Sequence, residues 1–239
     1  MMIRCSFRRF LSLVSLSFIA AMNLQTGSGR NQRSKLSATK EATFGMGCFW
    51  KPSEELLKVD GVVDTIAGYT GKRDAIKAPT YDTVCFSRDW VEGVRVYYDD
   101  EKISYDQLLD AFFEAQEPQP QSRQYSSIIF PHNEQQEQSA QSWLQQEKRR
   151  SDGVSNRITS VEPLTRFFGA EGYHQRYWQK QRPRFATIFV LLMLSTGLAD
   201  NYFPVDMISQ LHTAFNFATI AIGLYQIVER KLDAKVSEL

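Results

Sequence analysis

The segment Gly45-Met46-Gly47-Cys48-Phe49-Trp50 constrains this chain more than any other. It joins a short apolar run, Ala42 to Met46, to Glu54-Glu55-Leu56-Leu57-Lys58-Val59, which has helical spacing. A chain that passes from strand to helix in so few residues must bend sharply. Two glycines permit that bend and let the backbone approach a ligand closely. Cys48 then falls at a strand end and at the first turn of a helix. Unpaired N–H groups and the helix dipole stabilise a thiolate there, and the thiolate is the nucleophile of covalent catalysis. Phe49 and Trp50 set two large apolar faces beside the sulfur, a pocket suited to a small, weakly polar group such as an S-methyl. The plain alternative is a cysteine buried among core aromatics.

The pattern downstream alternates between strand and helix. It predicts a strand over Ala42–Met46, a helix over Pro52–Val59, a strand over Val62–Tyr69 and a long loop through Lys72–Pro79. A strand over Val91–Tyr98, a helix over Tyr105–Ala115, a strand over Ser127–Phe130 and a helix over Glu134–Lys148 follow. This is the split βαβ order of a ferredoxin-like α+β two-layer sandwich, expected over residues 41–184. Ser104 stands where an N-cap is needed. With a period of two, Glu92, Val94, Val96 and Tyr98 share one face of the third strand. Glu92 thus ends an apolar row, where burial raises a carboxyl pKa and makes a proton donor near neutral pH. The alternative is a strand-end glutamate paired with a lysine or arginine.

The two ends of the chain differ from its middle. Arg4, Arg8 and Arg9 precede an apolar run from Phe10 to about Met22, followed by a stretch from Gly27 to Lys40 that lacks acidic residues. That order predicts a signal or transit presequence over residues 1–40, or else an uncleaved N-terminal membrane anchor, and an organellar membrane destination, a plastid first, with mitochondrion or secretory pathway as alternatives. Beyond Arg184, residues 185–199 and 211–228 carry no Asp, Glu, Lys or Arg, a pattern hidden by the mean hydropathy of −0.35. Basic residues flank the outer ends (Lys180, Arg182, Arg184; Arg230, Lys231) and acidic ones lie between. Residues 185–239 therefore read as an apolar helical hairpin with a charged tail, expected to anchor the protein to a membrane, or else to cover the domain or pair two subunits.

Several motifs in fixed order bear on function. Gly-Cys-Phe-Trp at 47–50, Gly68-Tyr69-Thr70-Gly71, Pro79-Thr80-Tyr81, Val84-Cys85, Glu92 within Val91–Val96, Ile103-Ser104-Tyr105, and Gln124-Tyr125-Ser126-Ser127 resemble the A-type peptide methionine sulfoxide reductases from about Ala42 to Trp178. The resemblance implies that Cys48 attacks the sulfoxide sulfur and Glu92 protonates the oxygen. Tyr81 and Tyr125 bond that oxygen, and Phe49 and Trp50 hold the methyl group. It further implies reduction of methionine-S-sulfoxide, free or in proteins, through a Cys48 sulfenic acid, and so the repair of oxidised proteins under oxidative stress. A rival reading is a non-catalytic membrane protein, with a relic domain that binds oxidised methionine or senses peroxide through Cys48.

Some residues depart from the family's pattern. Lys51 replaces its usual glycine, Trp90-Val91 its His-Ala, and its loop aspartate is missing, with Gln119, Gln121 and Gln124 the nearest substitutes. His174, in Glu171-Gly172-Tyr173-His174-Gln175, reads as a structural histidine. No cysteine follows Cys85, whose apolar neighbours Val84 and Phe86 suggest a buried, inert thiol. Recycling therefore falls to an external thiol, either thioredoxin or glutathione with glutaredoxin. With three cysteines and three scattered histidines no bound cofactor or metal is expected, and a net charge of +1 without a basic stripe argues against nucleic acid.

Overall fold

The computed structural model describes residues 39–119, 121–150 and 159–236, so residues 1–38 of the expected presequence lie outside it. From Lys40 onward the chain forms one compact unit. Its elements are β1 (Lys40–Met46), α1 (Trp50–Leu57), β2 (Val62–Thr70), α2 (Tyr81–Phe86) and β3 (Val91–Tyr98). After them come α3 (Tyr105–Ala115), β4 (Ser127–Phe130), α4 (Glu134–Arg150), β5 (Thr159–Val161) and β6 (Phe168–Gly169). A 3-10 turn at Gly172–His174 leads into α5 (Tyr177–Ser195), and α6 (Val205–Val236) closes the described chain.

The sheet order is β5-β4-β1-β3-β2-β6. Its central four strands, β4-β1-β3-β2, are all antiparallel, which is the ferredoxin-like α+β arrangement expected from the element order. β5 joins β4 in parallel and β6 joins β2 antiparallel, widening the sheet at both edges.

Sequence explains the layering. Along β3 the Glu92, Val94, Val96 and Tyr98 side of the pleat is buried, whereas Arg95 and Tyr97 on the other side are only half-buried. The buried side meets Phe44 and Met46 of β1, Leu56 of α1, and Leu108, Leu109 and Phe112 of α3 in one core. Phe44 and Phe112 stack with ring centroids 4.8 Å apart. Ser104 caps α3 as expected: its hydroxyl accepts the Gln107 N–H at 3.2 Å, and the Gln107 side chain accepts the Ser104 N–H at 2.9 Å. The opposite face holds Val91, Ile128 and Phe130, and is covered by Leu164 and by Phe167, which lies under the Arg95 guanidinium at 4.4 Å.

The C-terminal region differs in part from expectation. α5 begins at Tyr177 and runs unbroken through Arg184, so the division at that residue is one of composition and not of backbone. Its uncharged helical part, residues 185–195, is only about 16 Å long at the α-helical rise, roughly half a hydrocarbon core. Among the described residues one helix, not two, is long and apolar enough to cross a membrane: α6, over Val205–Asp233. α5 and α6 pack side by side, joined by a two-pronged Arg184–Glu229 ion pair at 2.6 and 3.0 Å and by His212 Nε2 against Asp200 Oδ1 at 2.8 Å.

Candidate active site

Gly47 makes the turn between β1 and α1. It has φ +83°, and a Cβ there would stand 2.0 Å from the Glu117 carbonyl oxygen, so no other residue fits. Phe49 is the N-cap of α1, with no side-chain cap, which leaves the N–H groups of the first turn available to other acceptors. The Glu92 carboxylate, at the start of β3, takes one of them. Its Oε2 accepts the Phe49 N–H at 3.2 Å, and its Oε1 accepts the Gln124 side-chain amide at 2.7 Å.

Glu92 is 1% exposed. Burial pushes its pKa up to about 7, against the lowering effect of its bonds from Gln124 and Phe49. The expectation of a buried, raised carboxyl is met, and no lysine or arginine pairs with it among the described residues. The expectation for Cys48 is not met. The backbone N–H of Trp50 works to lower the pKa of the sulfur, but burial outweighs it, and Glu92 and Glu117 add negative charge nearby. The thiol is pushed up to about 11. One N–H of a short helix cannot offset the desolvation of the anion.

Phe49 is buried, and Trp50 is half-buried. The Trp50 ring stacks on Tyr177 at 3.8 Å and 4°, and its indole N–H donates to His174 Nδ1 at 2.8 Å. Tyr81 opens α2, a helix the sequence reading left unassigned; the signal was Thr80, whose hydroxyl accepts the Thr83 N–H as an N-cap. Tyr81 and Tyr125 are near enough to influence each other electrostatically, and Tyr125 also feels the charges of Glu92, Cys48 and Cys85. Burial pushes Tyr125 up to about 12 and also raises Tyr81. Cys48, Phe49, Trp50, Tyr81, Glu92 and Tyr125 therefore gather around one point.

Of the three glutamines, Gln124 alone reaches this point; Gln119 and Gln121 are exposed. Lys51 faces outward and pairs with Glu117. Cys85 is exposed, contrary to expectation, because the short α2 turns that side away from the core; Gln124 Nε2 lies 3.8 Å from its sulfur.

The sequence reading missed Glu171. This buried carboxylate accepts the Tyr69 hydroxyl at 2.8 Å and the Tyr81 N–H at 3.0 Å, so it fixes the start of α2. Its signal was an acidic residue three before His174. His174 itself is 1% exposed and, through burial and the charges of Arg230 and Lys180, is held down to about 3, hence neutral. A cleft of about 830 Å³ is lined by Lys72, Arg73, Arg123, Glu162 and Arg166 among others, and it includes none of Cys48, Tyr81, Glu92 and Tyr125.

A sulfur nucleophile, a carboxyl that is half protonated near pH 7, two tyrosine hydroxyls and an aromatic wall are the parts needed to reduce an oxidised thioether. Known proteins point the same way. The family described as Peptide methionine sulfoxide reductase matches residues 40–198. The Peptide methionine sulfoxide reductase MsrA of Geobacter sulfurreducens is 37% identical over 153 residues, 61% of this chain and 93% of that protein. Its namesake from Methanoculleus marisnigri is 39% identical over 152 residues, 59% of this chain and 90% of that one. The solved methionine sulfoxide reductase A of Corynebacterium diphtheriae superposes with TM-score 0.54 at 27% identity, over 60% of this chain and 75% of that one. The matched family segment ends before α6 begins.

Proposed function

The chain belongs to the peptide methionine sulfoxide reductase family, an oxidoreductase that reduces methionine sulfoxide in the repair of proteins, and on that premise we propose which residues perform the reaction and where. Cys48 is the nucleophile. It attacks the sulfoxide sulfur while the Glu92 carboxyl gives its proton to the oxygen, and Tyr81 and Tyr125 donate hydrogen bonds to that oxygen as the S–O bond weakens. Phe49 and Trp50 hold the methyl group. The oxygen passes to Cys48, leaving methionine and a Cys48 sulfenic acid; two external thiols then return the cysteine to its reduced form, releasing water and a disulfide. The S epimer is the substrate that the resemblance to the A-type family implies, one enzyme serving each epimer in this chemistry.

The observation that carries this reading is the Glu92 carboxyl, buried, half protonated near neutral pH and bonded to the residue after Cys48. It also bears on the raised Cys48 pKa, to which the charge of Glu92 contributes after burial. Once Glu92 is protonated it no longer opposes the thiolate, and the proton lost by sulfur can follow the one given to oxygen. We assign the reductant role to thioredoxin or to glutathione with glutaredoxin, as the family resemblance implies, with the exposed Cys85 as the internal alternative. The test is one turnover with methionine-S-sulfoxide and no reductant. A dimedone adduct on Cys48 supports the assignment; a Cys48–Cys85 disulfide at full occupancy overturns the external-thiol step.

For location, we propose that α6 inserts its apolar surface into a membrane and that the catalytic sandwich lies on the side of its basic end, Arg230 and Lys231. Support comes from its 32 residues, about 48 Å of helix, and from Phe217, Ile220, Leu224 and Ile227, each more than half exposed. The presequence pattern of residues 4–22 points to an organelle, a plastid first. A fluorescent protein fused after residue 40 tests that address by where it accumulates.

A further inference from the structure

α6 lies outside the segment shared with the family, yet its last turns reach the 3-10 turn that carries His174. Two residues make the contact. The Arg230 guanidinium sits 5.7 Å from the Tyr173 ring centroid, and the Tyr173 ring lies 4.1 Å from that of His174. The Asp233 carboxylate approaches Gly172 so closely that a Cβ there would be 3.1 Å from it. Glu229 ties α6 to α5 through Arg184. From the α5 side, Lys180 Nζ donates to the Gly172 carbonyl at 2.7 Å. The turn is therefore gripped by both C-terminal helices.

The opposite side of His174 is the catalytic site. Its ring is 5.1 Å from Phe49 and 4.9 Å from Tyr81, and Nδ1 accepts the Trp50 indole N–H. That bond exists only while Nδ1 is unprotonated, since both nitrogens of an imidazolium are donors. The groups around the ring pull in opposite directions. Glu171 Oε2, 3.8 Å from Nε2, and Asp233 beyond Gly172 favour a proton; Arg230 and Lys180 oppose it, as does burial among Phe49, Trp50, Tyr81 and Tyr173. Nε2 has no hydrogen-bond partner among the described residues, so nothing else fixes the ring's state.

We propose that Arg230 is a positioning residue for the sulfoxide pocket, acting through neutral His174 on Trp50. The apolar helix is then more than a tether: its basic end keeps the imidazole in the form that holds the methyl-binding wall. This rests on Trp50 lining the substrate pocket, and the test separates the two ideas.

The full-length protein in mild detergent is assayed with methionine-S-sulfoxide between pH 4 and 8. Arg230→Met keeps the stem and removes the charge. Because burial still holds the ring neutral over most of that range, its KM relative to the parent should rise only toward the acid end, by up to about five-fold at pH 4, the size of one net hydrogen bond, and approach the parent at pH 8. The change should fall on KM more than on kcat. Arg230→Lys should restore the parent profile, and Lys231→Gln should leave it unchanged. A merely structural role for Arg230 predicts instead a lowered Tm and an equal loss at every pH; that result, or a parent-like Arg230→Met profile, overturns the proposal. Trp50→Phe is the companion variant. If it leaves KM unchanged, the pocket assignment itself fails; if it raises KM while Arg230→Met does not, only the role of Arg230 is lost.

Discussion

Phe44 in β1 and Phe217 in α6 are the same side chain in opposite surroundings. The first has no exposed surface, and the second leaves 66% of its surface open. The contrast extends to their neighbourhoods. Apolar residues of the sandwich alternate along strands or line one helix face, so each layer buries the other. Those of α6 run around the helix, and a single neighbour, α5, cannot cover them. Burial in the sandwich supplies stability and the low-dielectric site that raises Glu92. On the membrane proposal, the open surface of α6 supplies a place to sit. Only at its basic end does α6 enter the chemistry.

This division of labour can be broken most severely at the sulfur. Cys48→Ser should abolish turnover with methionine-S-sulfoxide while leaving membrane partition intact; residual turnover would place the nucleophile elsewhere. Next in size is Glu92→Gln, expected to lower kcat by roughly 10²–10⁴-fold, the range of general acid catalysis. In the parent the protonated carboxyl is the donor, so kcat should fall as pH rises through about 7, the Glu92 value, whereas the Gln variant should show no such limb. Stability should move with the same group. A carboxyl with a raised folded pKa contributes stability below its ordinary value and loses it as pH rises through the raised one. Thermal unfolding should therefore show the Gln variant gaining on the parent between pH 5 and 8, and a constant gap would contradict the burial of Glu92.

Two smaller substitutions sharpen the contrast itself. Phe112→Ala, in the core, should cost about 3–5 kcal/mol in denaturant unfolding. Phe217→Ala, on the open side of α6, should change stability in detergent by no more than about 0.5 kcal/mol. It should instead weaken retention in membranes washed with alkaline carbonate. If Phe217→Ala is as costly as Phe112→Ala, α6 is a packing element that buries its face against protein, and the membrane proposal falls.

Much of the sandwich was legible because its determinants are local. The spans Val91–Tyr98, Tyr105–Ala115 and Ser127–Phe130 are those the residue pattern predicts, since alternation, a capping serine and turn residues act within a few positions. Gly47 and the strand-to-helix turn around Cys48 were equally plain, because only glycine tolerates that backbone. What the tertiary structure decided depends on distant residues meeting. β5 and β6 are too short to carry a period and exist because β4 and β2 offered open edges. α5 is too short a span because its helix ends at Ser195, which leaves only residues 185–195 uncharged. The sign of the Cys48 shift was set by burial, and by Glu92 and Glu117, rather than by its place at a helix start. Glu171, His174 and Arg230 acquired roles only through contacts across the fold, and such sums of desolvation and charge are invisible along a sequence.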